Sequence, residues 1–420
     1  MNSAINPRNR LRIQSIANPE SARILVLSIV NPHLERNGAA TVTRGLLKLL
    51  EMPPFRAQVE CVPVRAEPLR WRRLAHARSL IDSSFRTLPA KVSFQHSADF
   101  RERVRARLRN EHYDLVVLNG SDLLWISEYL PASIPRVLVA HNIEHLLFDS
   151  QIQNLSRWYR PLQGLLRKDC QRLQDFELKG IRHARNVVFL SHQESRYAGR
   201  LCGGLRSTTI PPVFDYEPGR RPGRKPGPVL EIGYLGNFRW WPNQLGLQWF
   251  TNEVLPYVKS PIRLNLFGNG SGRRWRDDRR VVGHGLVDGL ERVWASCDLM
   301  ICPAFSGGGV CVKLAEAAYN GMPVVANRHA VRGLPPVDDP ALALLDEPGE
   351  WIELLNSTAA RDLAGRQGSD KTAAMFAIHS HKDRIQRFFE ATINSTDVPE
   401  DAADHSPDGV SVDRGLAPPE

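Results

Sequence analysis

The chain has 420 residues, of which 42% are hydrophobic and 24% are charged. This length is more than one ordinary hydrophobic core needs, so two domains are expected. The composition excludes a fibrous or wholly disordered protein and is typical of a soluble globular one.

The formal net charge of +10 is unevenly distributed along the chain. Residues 65–109 contain twelve Arg or Lys side chains and four acidic ones, whereas residues 397–420 contain seven acidic side chains and one Arg. The basic segment favours a polyanionic partner, such as membrane phospholipid, nucleic acid or a phosphate-bearing donor. Nucleic acid is disfavoured because the segment lacks the interleaved aromatic side chains of a base-stacking surface.

Cysteine usage and the N-terminus indicate a cytoplasmic protein, at most attached to a membrane surface. The cysteines are scattered without a Cys-x-x-Cys pair, and we expect them to be small buried side chains in a reducing compartment. Residues 1–18 lack the apolar region of a secretory signal, and no apolar run reaches the ~18 residues that would span a membrane. The six cysteines are Cys61, Cys170, Cys202, Cys297, Cys302 and Cys311.

Short apolar runs alternate with longer amphipathic stretches. Such runs are typical of buried parallel strands, and their alternation with helices predicts right-handed βαβ units in an α/β fold with doubly wound sheets. The runs lie at residues 23–30, 114–118, 137–140 and 187–190, and then at residues 230–234, 262–267, 299–302 and 323–326.

A segment rich in Pro, Gly and Arg separates the two sets of strands and is predicted to be an interdomain linker. Two doubly wound domains would enclose a cleft at the carboxyl ends of their strands, where ligands bind in such folds. The predicted order is a disordered segment (1–20), an N-terminal domain (20–216), the linker (217–228), a C-terminal domain (229–375), a closing amphipathic helix (376–394) and a disordered acidic tail (395–420).

The most informative segment is residues 297–327, in which a strand is followed by three glycines at positions 307–309 and then by a helix predicted from about residue 310 to 320. Glycines before a helix let the backbone approach a phosphate, and the amides and dipole of the helix N-terminus favour an anion. Lys313 and Glu316 share a face of that helix and suit a pyrophosphate and a ribose diol. The alternative is an ordinary strand-to-helix turn, with Lys313 in solvent and Glu316 exposed.

This segment resembles the donor-site motif of the group 1 (family 4) retaining glycosyltransferases of the GT-B fold, in the branch that reads Gly-Gly-Gly, two or three residues, Lys, two residues, Glu, Ala. Residues 236–256, 266–270 and 281–287 are similar to the family's neighbouring loop, helix and strands. The resemblance implies two Rossmann-like domains facing each other across a cleft. It also implies transfer from a nucleoside-diphosphate-sugar donor, with retention, to a saccharide or lipid-linked acceptor in cell-surface polysaccharide or glycolipid biosynthesis.

The resemblance also assigns roles to individual residues. Glu316 matches the family's ribose-binding glutamate and Lys313 matches a lysine that faces the pyrophosphate. The family's first glutamate falls at Gly308, so the usual carboxylate contact to the donor sugar is missing. The other donor-binding residues are expected to be Gly307, Gly309, Val310, Gly236 and Asn237.

Two candidates lie in the N-terminal half. His141 begins a segment, His-Asn-Ile-Glu-His, that follows a predicted strand and resembles the family's His-Asn-x-Glu. The resemblance implies that His141 hydrogen-bonds the donor sugar. The alternative is a loop histidine that caps the next helix, and this interpretation suits His145 better than His141. Gly38 and Ala39 follow the first strand and would let a loop pass close to donor phosphate or acceptor, although such small-residue loops are common in α/β folds.

Arg239 follows the first strand of the C-terminal half and suits contact with the leaving phosphate. The adjacent Trp240 and Trp241 are expected to pack the loop onto the core. No Asp-x-Asp pair follows a strand, so the leaving group is expected to be stabilised by the glycine amides, Lys313 and Arg239 without a metal ion.

Other functions remain open. Basic residues at 65–109 and 157–185 would hold the N-terminal domain on anionic phospholipid, or would form a solvated face without a partner. The same architecture serves nucleotide-sugar epimerases, which need no acceptor. Glycine at position 308 also leaves open a non-catalytic partner subunit.

Overall fold

The computed structural model describes residues 21–63, 88–155, 161–219, 226–272 and 278–395. The predictions of disorder at residues 1–20 and beyond 395 therefore lie outside the described residues. The same is true of residues 64–87 of the basic segment and of the centre of the linker.

Six parallel strands form the first sheet, and the predicted apolar runs lie within it. The strands are β1 (Ala22–Ser28), β2 (Phe55–Cys61), β3 (Leu115–Asn119), β4 (Arg136–Ala140), β5 (Asn186–Phe189) and β6 (Arg206–Thr209). Their spatial order is β2-β1-β3-β4-β5-β6, and every neighbouring pair is parallel. The helices of this part are α1 (Gly38–Glu51), α2 (Ala90–Gln95), α3 (Ala98–Asn110), α4 (Glu144–Gln153), α5 (Gln163–Ala184) and α6 (His192–Cys202), with a 3-10 segment at Ser121–Tyr129.

A second sheet of six parallel strands follows. The strands are β7 (Leu230–Leu235), β8 (Ile262–Phe267), β9 (Val281–Gly285), β10 (Leu299–Cys302), β11 (Val324–Ala326) and β12 (Leu342–Leu344), in the spatial order β12-β11-β10-β7-β8-β9. The helices are α7 (Trp241–Trp249), α8 (Glu291–Ser296), α9 (Val312–Tyr319), α10 (Pro348–Asn356), α11 (Ala359–Ala364), α12 (Asp370–Ala374) and α13 (Lys382–Ile393). The α/β class with two doubly wound sheets is thus confirmed.

The central strands of each sheet are largely apolar because each sheet carries a hydrophobic core on both faces, whereas the edge strands β2 and β6 of the first sheet include polar side chains. In β1, Leu25 enters the core on one face and Val26 enters the core on the other. The final helix α13 returns to the first sheet, where the ring centroids of Phe389 and Phe55 lie 6.1 Å apart. The C-terminal end of the described chain therefore stabilises the N-terminal domain.

Some arginines in the described part of the basic segment are paired with acidic side chains. On α3, Arg103 pairs with both Glu60 and Asp99, and Arg107 also pairs with Glu60. Within the residues described, no helix is both long and apolar enough to cross a membrane.

Candidate active site

The glycine loop, residues 303–311, connects β10 to α9 at the carboxyl end of the second sheet. Gly307 and Gly309 have φ values of 128° and 59°, conformations that favour glycine. The helix begins at Val312, two residues later than expected, because Cys311 is its extended N-cap and Val310 is buried against Val42 and Leu190 of the first domain. Val310 therefore joins the two domains instead of starting the helix.

The loop touches the N-terminal domain directly. A Cβ atom at Gly309 would lie 2.4 Å from Asn142 Oδ1 and 2.6 Å from the carbonyl oxygen of His141. Beside it, the hydroxyl groups of Ser150 and Ser306 are hydrogen-bonded at 3.1 Å. Glycine is required here because the two domains meet backbone to backbone.

Gly38 and Ala39 lie in the first turn of α1 and not in a loop, which corrects the expectation from the sequence. Asn37 caps this helix by accepting a hydrogen bond from Ala40 N at 2.9 Å. The turn lies against the start of α9, since a Cβ at Gly38 would be 3.4 Å from Val312 Cβ.

Lys313 is half-buried and does not point freely into solvent. Its Nζ donates to Asn243 Oδ1 at 2.5 Å, reaches the Tyr234 hydroxyl at 3.4 Å and lies 4.6 Å from the centre of the Tyr234 ring. Burial lowers the pKa of Lys313, but the neighbouring Tyr234 and two thiol groups raise it above its usual range. The side chain is thus a fixed cation whose partners in the described chain are neutral groups.

Glu316 lies one turn further along α9 and is buried, which excludes the alternative of an exposed helix residue. Its Oε1 accepts a hydrogen bond from the Tyr216 hydroxyl at 3.4 Å. Burial raises the pKa of Glu316 to about 7, although Tyr216 and Arg44 act in the opposite direction. The carboxyl group therefore changes charge close to neutral pH.

His141 follows β4 and is held by a network within the first sheet. Its Nε2 lies 2.7 Å from Asn119 Oδ1, while Asn119 Nδ2 donates to Ser28 and Thr43. Since this orientation makes Asn119 Oδ1 an acceptor, the proton of His141 is on Nε2. Burial lowers the pKa of His141 to about 4, so the ring is neutral at pH 7 and Nδ1 is an acceptor.

His145 has a structural role. Its Nδ1 lies 2.7 Å from Glu177 Oε2 and its Nε2 lies 2.8 Å from the Tyr197 hydroxyl, so it ties α4 to α5 and α6. The side chain is buried and remote from solvent.

The loop after β7 holds Asn243, the hydrogen-bond acceptor of Lys313, in place. Asn237 accepts a hydrogen bond from Asn243 Nδ2 at 3.0 Å through its carbonyl oxygen, and a Cβ at Gly236 would lie 2.9 Å from the same nitrogen. Gly236 and Asn237 thus orient the amide that holds Lys313. Arg239 is exposed, and a Cβ at Gly270 would lie 3.3 Å from its Cγ. Among the described residues, no hydrogen bond joins Arg239 to the glycine loop.

Trp240 is 45% exposed, so the expectation that it packs onto the core is wrong. A Cβ at Gly307 would lie 3.9 Å from Trp240 Cη2, which places the indole at the edge of the glycine loop. Trp241 is half-buried. The helix α7 begins at Trp241, so the preceding Trp240 is left at the surface.

The cysteines only partly meet the expectation. All six are free thiols, and Cys297 and Cys302 are buried, whereas the other four are half-buried. Cys302 Sγ lies 3.3 Å from Cys311 Sγ, and the hydrogen bond from Cys302 lowers the pKa of Cys311 to about 6. Two neighbouring thiols thus lie where the glycine loop begins and ends.

Sequence patterns did not indicate three residues that the structure places at the site. Asn119 and Asn243 orient His141 and Lys313, and Arg332 Nη2 donates to the carbonyl oxygen of Gly308 at 3.1 Å. Asn243 could have been found from the Pro-Asn pair at the start of α7, whereas no sequence pattern surrounds Arg332. Among the described residues, no group of three or more His, Cys, Asp or Glu side chains is arranged to hold a metal ion.

Comparison with known proteins places this geometry in context. Residues 230–357 match the family described as "Glycosyl transferases group 1". Sucrose-phosphate synthase from Thermosynechococcus elongatus has a similar structure, with a TM-score of 0.64 and 15% identity over 88% of this chain and 98% of that chain. HepE from Anabaena, in complex with UDP and glucose, has a TM-score of 0.58 and 15% identity over 88% and 100%. No curated protein sequence matches significantly.

The fold is therefore the GT-B architecture of glycosyltransferases, with two Rossmann-like domains. The residues that match the group 1 glycosyltransferase family, 230–357, contain the glycine loop, Lys313 and Glu316.

Proposed function

We propose that the protein transfers a hexosyl or related sugar from a nucleoside-diphosphate-sugar donor to a saccharide or lipid-linked acceptor, with retention of anomeric configuration. The observation that carries this proposal is the arrangement on α9. Lys313 is a fixed cation whose described partners are neutral, and the buried Glu316 follows one turn later. A cation and a carboxylate in this order, behind a glycine loop, suit a pyrophosphate and a ribose.

The proposed chemistry is stabilisation of a leaving nucleoside diphosphate. As the bond from the anomeric carbon to the β-phosphate oxygen breaks, Lys313 and the backbone amides of residues 307–309 stabilise the charge that develops on that oxygen. Neutral His141 accepts a hydrogen bond from a donor-sugar hydroxyl through Nδ1. Arg239 approaches the phosphate from its exposed position. These are the roles that the resemblance in the sequence implies, here assigned to the side chains as the structure positions them.

Contact between the domains supports a cycle of opening and closing. The glycine loop lies against Asn142 and Ser150, so a donor enters when these contacts separate and is shielded from water when they form again. Shielding limits hydrolysis of the donor while the acceptor binds.

Thermal denaturation with UDP- and GDP-sugars tests donor binding, because a ligand of the native state raises the melting temperature. UDP is the first nucleotide to use, since HepE contains it. Product analysis then separates the functions: transfer to an added saccharide or lipid-linked acceptor is expected, with the anomeric configuration of the donor. Rapid conversion of a nucleotide-sugar with no acceptor present would instead indicate an epimerase.

For the cellular setting, we propose cell-surface polysaccharide or glycolipid biosynthesis on the cytoplasmic face of the membrane. The basic residues of the N-terminal half would contact anionic phospholipid. Because the arginines Arg103 and Arg107 of α3 are already paired with acids, the contact is expected to depend on other basic residues of this half. Flotation with anionic vesicles at low and high salt tests this, and failure to bind vesicles at low salt contradicts it.

A further inference from the structure

Arg332 is a cation at the glycine loop that has no carboxylate partner in the described chain. It lies between β11 and Gly333, and its Nη1 donates to the carbonyl oxygen of His329 at 2.6 Å. Its Nη2 donates to the carbonyl oxygen of Gly308, while Nε is buried without a hydrogen-bond partner. A guanidinium group has five N–H donors, so much of its capacity is unused.

Among the described residues, no carboxylate forms an ion pair with Arg332. Burial lowers the pKa of Arg332, and the thiols of Cys311 and Cys302 and the carboxyl group of Glu194 offset this effect only in part. His329 beside it is neutral, because burial lowers its pKa to about 4. By contrast, Arg328 in the same segment is exposed and forms an ion pair with Asp346. A partly desolvated cation that has no directly bonded carboxylate and a buried, unpartnered Nε is unfavourable in itself, so the site favours an anionic ligand.

An aromatic side chain lies close to the same glycine. A Cβ at Gly307 would be 2.7 Å from Arg332 Nη2 and 3.9 Å from Trp240 Cη2. The absence of a side chain at Gly307 thus leaves a space that both the guanidinium group and the exposed indole border. Aromatic faces pack against the apolar face of a sugar ring, and a guanidinium group binds a carboxylate through two parallel hydrogen bonds.

The position of Arg332 distinguishes it from a pyrophosphate ligand. It bonds to Gly308, which faces Leu147 and Asn142 of the N-terminal domain, whereas Lys313 points towards Tyr234 and Asn243 within the second domain. In the proposed reaction the transferred sugar must lie between the domains, because the acceptor comes from the other side. Arg332 is therefore on the sugar side of the loop.

We infer that Arg332, with Trp240, recognises the carboxylate of an acidic sugar of the uronate class. This inference rests on the proposed function and assigns its substrate class. The carboxylate belongs either to the donor sugar or to the acceptor sugar, and both would meet the guanidinium group at the same place.

The experiment has two arms, one for an acidic donor sugar and one for an acidic acceptor sugar. Calorimetric titration with UDP, UDP-glucose and UDP-glucuronate is the donor arm. Wild-type protein is expected to bind UDP-glucuronate about tenfold or more tightly than UDP-glucose, as a charge-assisted hydrogen bond gives. Arg332→Gln should abolish this preference and leave the affinity for UDP unchanged. Arg328→Gln, from the same segment, should behave as wild type. For the acceptor arm, methyl glucuronoside and methyl glucoside are compared on UDP-loaded protein.

An Arg332-dependent preference in the first arm identifies an acidic donor sugar, and one in the second arm identifies an acidic acceptor. The absence of a preference in both arms overturns the inference. So does an equal loss of UDP affinity in Arg332→Gln, which would assign Arg332 to the pyrophosphate. If that variant does not fold, Arg332→Lys keeps the charge and should show an intermediate preference; a wild-type preference there overturns the inference too. Failure of wild-type protein to bind both UDP and GDP would overturn the proposed function, and this inference with it.

Discussion

Asn142 of the first domain lies so close to Gly309 of the second that a Cβ atom at Gly309 would be 2.4 Å from Asn142 Oδ1. Gly309→Ala is therefore expected to separate the domains at this point and to strain a residue with a φ of 59°. Stability should fall by about 1–3 kcal/mol, as for other strained backbone positions, and donor-dependent turnover should fall with it.

Thermal denaturation and a donor-turnover assay check this prediction. The matched control is Gly199→Ala on α6, where an added Cβ would meet nothing within 4 Å. That variant should be stabilised by up to about 1 kcal/mol, because alanine is the better helix former. If Gly309→Ala is as stable and as active as wild type, the contact at Gly309 has no functional role.

Glu316 should make stability and donor binding respond to pH in opposite directions. Burial raises its pKa from 4.5 to about 7, so the protonated form stabilises the native state fully below pH 4.5, and this contribution is lost as the pH rises through 7. Glu316→Gln should thus be more stable than wild type by about 2–3 kcal/mol at pH 8 and equally stable at pH 4.5.

Donor binding should show the opposite preference, because the charged carboxylate is the better acceptor for ribose hydroxyl groups. Wild-type affinity for UDP should fall as the pH decreases through about 7, whereas that of Glu316→Gln should be weak and vary little over this range. Denaturation curves and titrations at pH 5, 6, 7 and 8 measure both effects. A Gln variant with wild-type affinity at pH 8 would exclude Glu316 from the ribose site.

A cross-link between Ser150 and Ser306 should lock the domains together. The two hydroxyl groups are 3.1 Å apart and belong to different domains, so the double variant Ser150→Cys/Ser306→Cys is expected to form a disulfide on oxidation. The oxidised protein should lose nearly all donor turnover, because the donor cannot enter, and reduction should restore it.

The control cross-link lies within one domain. Ser195 and Ser207 are 3.2 Å apart in the N-terminal domain, and their replacement by cysteine should leave turnover unchanged in either redox state. Full activity of the oxidised Ser150/Ser306 variant would show that opening at the glycine loop is unnecessary.

The central strands could be predicted from the sequence because they are buried on both faces, as with Leu25 and Val26 of β1, so each reads as a largely apolar run. Strands β2 and β6 were not predicted, because polar side chains such as Arg56 and Arg206 interrupt their sequences. The glycine motif was equally visible, since its residues are adjacent in the chain. No local sequence pattern predicts the spatial order of the strands.

Other features depend on tertiary contacts that the sequence does not display. Helix α9 starts late because Val310 packs against Val42 and Leu190, which lie more than a hundred residues away. Arg332 carries no motif, and its place beside Gly308 follows only from the return of the chain after β11. Trp240 was expected in the core because a large aromatic residue usually buries its ring.

The central claim is that Lys313 binds the pyrophosphate of a nucleotide donor, and calorimetric titration of UDP into Lys313→Gln tests it most directly. Gln keeps a polar group beside Asn243 but removes the charge, and Lys371→Gln, at an exposed residue of α12, is the control for charge removal. Wild type and the control should bind one UDP per chain with the same affinity, and Lys313→Gln should bind about tenfold or more weakly. Equal affinities of Lys313→Gln and wild type would contradict the claim.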